Sequence, residues 1–445
     1  MSGPTYRLVT LGCKLNQADS GALESRLRRL GFRRAAQPEA GAADLLLLNT
    51  CTVTGGADRE ARQIARRLRR AHPRALLVVT GCYAERDAES LRCIPGVDHV
   101  VGMRDQAGRV AAIAASAFGL EAPPEAASGE LDFGRFGATE ACDPATSDRT
   151  RAFLKIQDGC DLRCSYCVIP SVRGESRSLP EEMVLERLAG LGGSGYHEVV
   201  LTGVNTGDWG GDLLPRARLH DLLGRALDAG TVTRLRLNSL EPRTVTDPIA
   251  ALMAESGGRL ARHIQVPLQS GSDAVLARMR RNYRTADYAR VLERVEARVP
   301  EAGLGADVIV GFPGESDVEF EATCRFVEAS PLAYLHVFSY SARPGTAAAS
   351  LPGQVPAAVV RERSTRLRSI GRTLSLRYRR RFVGSTLPAL ALREVHPDGR
   401  VRALTDTFID CAVDPGIVPA GELFNRPLTV RITAAEDLQT LAAVA

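Results

Sequence analysis

Apolar and polar positions along this chain alternate with two different periods, and the change from one to the other divides it. Residues 7–11, 45–49 and 75–80 are short apolar runs that read as strands, and 45–49 is apolar enough to be buried on both faces. Between them, 16–30 places Leu23, Leu27 and Leu30 on one helical face, and 58–70 is an arginine-rich helix. Strand and helix in turn predict an open parallel α/β sheet for residues 1–115.

The period fades over 111–147, where Ala, Gly and Pro dominate, so 116–148 is expected to be a linker. Strand-then-helix units resume beyond it. The predicted strands are 151–157, 198–202, 234–238, 263–266, 305–310 and 335–339, each followed by a polar or glycine-rich segment. Six such units predict a partial or full β/α barrel over 149–380, with its site in the loops after the strands. The stretch 361–381 reads as a helix carrying nine arginines and one acidic residue, Glu362. From 381 to 445 the period shortens to two. Strands at 387–395, 401–413 and 428–432, with a His396-Pro397-Asp398-Gly399 turn, predict a small β-barrel. The fold class is therefore α/β with a small all-β end.

Composition sharpens this outline in three places. The 44% hydrophobic and 24% charged residues of the 445 describe a globular chain, without an apolar run long enough for a bilayer or a secretory n- and h-region at the start. The expected location is the cytoplasm, with no membrane partner, where ten cysteines point to metal or redox work rather than disulfides. A net charge of +5 permits a nucleic-acid partner without requiring one. Only Lys14 and Lys155 among the 57 basic residues are lysines, and each lies beside a cysteine motif. A compact ammonium can fit where a guanidinium cannot, so each is a candidate for a role near a metal group.

Cys160, Cys164 and Cys167 form a C-x3-C-x2-C run directly after the first barrel strand. No fourth cysteine or histidine follows at a finger-like distance, which makes zinc the poorer fit. Three thiolates on a [4Fe-4S] cluster leave one iron open to bind substrate or cofactor. A second trio is hidden by distance: Cys13, Cys51 and Cys82 each follow a strand of the N-terminal sheet, and ligands gather at the carboxyl ends of parallel strands. The glycines before Cys13 and Cys82 permit tight turns and close approach to a bulky inorganic group. Cys93, Cys142, Cys324 and Cys411 lack such a context and are read as structural. Arg173 and Arg177 flank the mouth, either as phosphate contacts or as partners of Glu175 and Glu181. The helix carrying Arg377, Arg379 and Arg380 is either a solvated face or a phosphate-tracking surface.

The C-x3-C-x2-C run resembles that of the radical S-adenosylmethionine enzymes. The segments Gly12-Cys13-Lys14-Leu15-Asn16-Gln17, Asn49-Thr50-Cys51-Thr52-Val53-Thr54 and Gly81-Cys82-Tyr83-Ala84-Glu85 resemble the N-terminal motifs of its methylthiotransferase family. This likeness implies two [4Fe-4S] clusters, one on each trio, and S-adenosylmethionine cleaved to a 5′-deoxyadenosyl radical at the open iron of the second. A second cofactor molecule methylates a sulfur held at the first. It further implies that Gly203 and Asn205 approach the cofactor's amino group, and that Ser239 and Glu241 lie near its ribose. Gln269 and Gly311, in the loops after the fourth and fifth strands, are candidates by position. The C-terminal barrel resembles the RNA-binding TRAM domain. The partners implied are tRNA, a reductant such as flavodoxin or ferredoxin, and a sulfur donor of unspecified identity.

Three substrates divide that family. The Cys13 to Gln17 signature, with Leu201-Thr202-Gly203-Val204-Asn205, most resembles the branch that modifies N6-threonylcarbamoyladenosine at tRNA position 37. N6-isopentenyladenosine and an aspartate of a ribosomal protein are the alternatives. A non-catalytic iron–sulfur electron carrier or redox-sensing RNA-binding protein would need neither a barrel nor its glycine loops.

Overall fold

The computed structural model describes residues 3–35, 43–121, 136, 149–416, 418–437 and 439–445. The N-terminal sheet has five parallel strands in the order Arg33–Arg34, Thr5–Thr10, Leu45–Thr50, Leu76–Gly81 and His99–Val101. The two short outer strands carry too few residues to show a period. Leu45, Leu46, Leu47 and Leu48 are fully buried and face a separate apolar cluster on each side of the sheet. The helix Gln106–Phe118 takes in the start of the expected connector, because Val110, Ala111, Ala114 and Ala115 supply a buried stripe. Most of the expected linker, and Cys142, lie outside the described residues.

The central unit has six parallel strands in two hydrogen-bonded groups. One group is Ala152–Lys155, Glu198–Thr202 and Arg234–Leu237; the other is His263–Gln265, Gly303–Val310 and Tyr334–Ser339. Single parallel bridges, Leu235 to Leu260 and Ser239 to Gln265, join them into one curved sheet, a partial β/α barrel. Its core is a continuous cluster that includes Leu154, Val199, Leu237, Ile264 and Val308. The expected first strand is interrupted at Ile156, and Gln157–Asp158 pairs instead with Arg177–Ser178.

A closed five-stranded barrel ends the chain: Thr386–Val395, Val401–Thr405, Asp410–Asp414, Thr440–Val444 and Pro427–Ala435 in spatial order. The single strand expected over 401–413 is broken by a turn at which Phe408 adopts φ +68°. That turn docks on the floor of the central unit. Phe408 stacks on His263 with ring centroids 4.0 Å apart, and the buried Arg236 donates to the carbonyls of Thr405 (2.9 Å) and Asp406 (3.2 Å). No described helix is long and apolar enough to cross a membrane.

Candidate active site

In the N-terminal sheet Thr10 lies opposite Asn49, and Asn49 opposite Thr80, so the three central strands end together. Cys51 and Cys82 come directly after their strands, and Cys13 follows a two-residue turn. Gly12 has φ +94°, and a Cβ there would sit 2.8 Å from Cys51 Sγ: the first loop passes against the second cysteine. Gly81 has φ +99° and packs on the Thr50 backbone, so each glycine is required by both dihedral and space. Asn16 fastens the ends, donating to the carbonyls of Leu11 and Thr50 (both 2.9 Å), while Cys82 Sγ lies 3.7 Å from its Oδ1. Burial pushes the Cys82 thiol up to about 12, with Cys13 and Cys51 adding to the effect and Arg173 opposing it; burial also raises Cys51. Cys51 and Cys82 thus each feel a neighbouring thiol of the trio, and these two need a cation to become thiolates.

The second trio occupies a loop pinned at both ends. Gly159 (φ +75°) leaves no room for a Cβ, which would fall 1.9 Å from the Glu175 carbonyl, and Cys160 N donates to Gly174 O (3.0 Å). Ser165 N donates to Met279 O (3.0 Å), tying the loop to the opposite half of the barrel. Burial raises the Cys160 thiol to about 11 and the Cys167 thiol to about 12. Arg281 Nη1 donates to Cys164 Sγ (3.1 Å), and the same guanidinium pairs with Glu241. Arg281 was not legible in the sequence, since its sulfur partner lies 117 residues away. Each trio offers three thiols, a donor set that suits a polynuclear cluster meeting each thiolate through a separate iron.

The expected cofactor positions divide. Gly203 abuts Gln157, whose Oε1 and O would lie 2.7 and 3.0 Å from an added Cβ. Asn205 is buried, with its N–H donated to Gln157 Oε1 (2.8 Å), while its own Oδ1 is a buried acceptor without a partner among the described residues. An orphaned acceptor of this kind suits an ammonium or hydroxyl of a bound molecule. Ser239 bridges the two halves of the barrel next to Glu241. Gln269 adopts φ +66° and lines a cavity of ≈ 230 Å³ with Cys167, Asp307, Phe338 and Tyr340. Gly311 departs from expectation: the space at its Cα is filled by Val360, 2.4 Å from an added Cβ, and its N–H donates to Glu315 (2.7 Å). Its glycine is explained by close packing of the helix Ala357–Arg380 rather than by a cofactor.

The arginines expected to meet phosphate also divide. Arg173 is buried, 3% exposed, and cannot reach RNA; it donates to Asp19 and Asn16 (both 2.8 Å) and to Asp158 (3.1 Å). Lys155 joins the same group, 2.6 Å from Asp19 and 3.0 Å from Asp158. Asp19 belongs to the helix after Cys13 and Asp158 to the short strand before Cys160, so two cations and two carboxylates tie one trio's support to the other's. Arg177 is exposed beside Glu175 (3.4 Å), whereas Glu181 pairs with Arg225. Arg379 is spent on the barrel, donating to Gln439 O and Thr440 Oγ1 (both 3.0 Å), while Arg377 and Arg380 are exposed. On the far side of the mouth Arg343 donates to Asp58 (2.5 Å) and Thr52 (2.9 Å), a second seam between sheet and barrel.

The Radical SAM superfamily matches residues 154–327, and the family described as Uncharacterized protein family UPF0004 matches residues 5–102. Among curated proteins, the chain is 35% identical to the threonylcarbamoyladenosine tRNA methylthiotransferase MtaB of Bacillus subtilis, over 97% of this chain and 98% of that protein. The protein of that name from Thermotoga maritima is 33% identical over 87% and 86%. A tRNA-2-methylthio-N(6)-dimethylallyladenosine synthase from Thermobifida fusca is also 33% identical, over 97% and 87%. Among solved structures, the radical S-adenosylmethionine methyltransferase TsrM from Kitasatospora setae superposes with a TM-score of 0.54 at 16% identity, covering 76% of this chain and 73% of that one.

Proposed function

The chain belongs to the radical S-adenosylmethionine methylthiotransferases, and on that premise we propose that it adds a methylthio group to C2 of N6-threonylcarbamoyladenosine at position 37 of tRNA. The family uses two [4Fe-4S] clusters and S-adenosylmethionine, which together supply a methylated sulfur and the hydrogen-abstracting radical. The observation that carries the reading is the joining of two cysteine trios, on separate sheets, by the buried Lys155, Asp19, Asp158 and Arg173 group.

In this reading Cys13, Cys51 and Cys82 hold the auxiliary cluster, and Cys160, Cys164 and Cys167 hold the radical cluster. Residues 1–115 and 149–380 then present one cluster each, and 381–445 is the TRAM-like barrel. Gly203 and the Asn205 acceptor receive the cofactor's amino end, and Glu241, held by Arg281, lies beside its ribose. The cavity would hold the adenine, with Phe338, 44% exposed, and the half-buried Tyr340 offering rings on which a splayed base can stack. Burial of Cys51, Cys82 and Cys160 keeps water, which would quench a radical, from that part of each trio. Exposed Arg177, Arg377 and Arg380 contact the RNA backbone. A low-potential donor such as flavodoxin or ferredoxin supplies electrons, and the work is done in the cytoplasm.

Mass spectrometry of tRNA nucleosides from cells with and without the gene tests this. Loss of the methylthio group from threonylcarbamoyladenosine alone is expected. Loss from isopentenyladenosine instead would transfer the substrate to that branch, and an unchanged profile would sink the tRNA reading.

A further inference from the structure

The chain's two lysines are placed in opposite circumstances. Lys155 is clasped by two carboxylates. Lys14, adjacent to Cys13, sends its ammonium to the barrel, where Nζ donates to Asn238 Oδ1 at 3.1 Å, and no described carboxylate lies within salt-bridge distance. Arg151 and Arg236 act on it with like charge, and the two anions whose fields it feels are committed elsewhere. Glu198 is paired with Arg151, Arg234 and Arg236, and Asp307 accepts from Gln265 Nε2 (2.7 Å) and lies 3.1 Å from His336 Nδ1. A half-buried ammonium with one neutral acceptor retains two unused donors and an uncompensated charge.

Its position gives that charge a use. Asn238 ends the third barrel strand, and its amide donates to Thr202 Oγ1 (3.0 Å), so Lys14 is held over the barrel between the Cys13 loop and the segment leading to Gly203. Ser239, next in the chain to Asn238, bridges to Gln265, and Gln265 Nε2 donates to Asp307 (2.7 Å), which lines the cavity that also contains Cys167. An adenosine seated in that cavity with its C2 presented to both trios would extend its N6 substituent along this path towards Lys14. A threonylcarbamoyl substituent ends in a carboxylate; an isopentenyl substituent is apolar. Below the ammonium, Phe408 lies 5.8 Å away and closes the floor, with the Arg236 guanidinium 5.4 Å from the same ring.

We infer that Lys14 binds the carboxylate of the N6 substituent and thereby makes the enzyme prefer an acidic side chain on adenosine over an apolar one. The inference rests on the substrate reading above and names the residue responsible for it. A charge-assisted hydrogen bond made in a half-buried site is expected to favour the carboxylate substrate by about 10- to 100-fold in kcat/KM.

The test uses the full-length protein with both clusters reconstituted, and anticodon stem–loops carrying either threonylcarbamoyladenosine or its carboxamide analogue. Each variant is scored by the ratio of its kcat/KM on the two RNAs, so that altered cluster loading cancels. The unsubstituted enzyme should show the preference, and Lys14→Met should bring the ratio to within about twofold of one, chiefly through KM on the carboxylate RNA. Lys14→Gln provides the same comparison if the methionine variant does not fold. A Lys14 variant that keeps the full preference overturns the assignment while leaving the substrate reading intact. Failure of the unsubstituted enzyme on threonylcarbamoyladenosine, with turnover of isopentenyladenosine, overturns the substrate reading and this inference with it.

Discussion

Lys155 Nζ lies 2.6 Å from Asp19 Oδ1 across the seam between the N-terminal sheet and the barrel, with both side chains at most 4% exposed. Replacing Lys155 with methionine would remove one of the two cations that Asp19 and Asp158 share, leaving Arg173. Removing one member of a buried ionic group costs about 3–5 kcal/mol, because the remaining charges stay desolvated. Denaturant unfolding of Lys155→Met should show a loss of that size. A change under about 1 kcal/mol would mean the seam is held by packing and Arg343 instead.

Cys51→Ala should spare S-adenosylmethionine cleavage and abolish methylthiolation, since only the auxiliary trio loses a ligand. Chromatography of 5′-deoxyadenosine alongside nucleoside analysis of the RNA reads both at once. Continued methylthiolation by this variant would refute the assignment of two trios to two clusters.

Gly203→Ala places a methyl group 2.7 Å from Gln157 Oε1, the atom that receives the Asn205 N–H. The loop must shift, and displacement of a positioning group by an ångström can cost about 100-fold in rate. Cofactor cleavage should fall by at least about tenfold while the iron content of the purified protein is retained. Cleavage at the unsubstituted rate would remove this loop from the cofactor site.

Glu198 supplies a pH dependence. Burial alone would raise its carboxyl, but Arg236, Arg151 and Arg234 outweigh burial and hold it down at about 2, below the ordinary 4.5. The unfolded state therefore binds the proton first as pH falls. The stabilisation is complete above about pH 4.5 and is lost as pH falls towards 2. Urea midpoints of the unsubstituted protein and Glu198→Gln should differ most near neutrality and converge as pH drops from 5 to 3. A gap that stays constant over that range would show that the carboxylate charge is not what Glu198 contributes.

What could be read from the sequence follows the range of each interaction. The two trios were legible because a cysteine after a strand is a local pattern, and the common end of parallel strands turns three such patterns into one place. The order of units was legible for the same reason. Arg173 misled because a short charged run looks solvated, and nothing local reveals that Asp19, 154 residues earlier, will bury it. Gly311 misled because a strand-end glycine has the same appearance whether a cofactor or Val360 fills the space beside it. Arg281 gave no signal, and the break at Phe408 was hidden inside an apolar run that continues on both sides.

Arg343 reaches Asp58 across 285 residues, and Lys155 reaches Asp19 across 136. As the chain leaves the ribosome, the N-terminal sheet can form from its own strands, but the first seam must wait for the opening of the barrel and the second for its last strand. Cys13, Cys51 and Cys82 are thus assembled at the strand ends well before the surface that covers them exists. That trio is therefore open throughout synthesis, and in the finished fold Cys51 and Cys82 are buried while Cys13 still faces the outside.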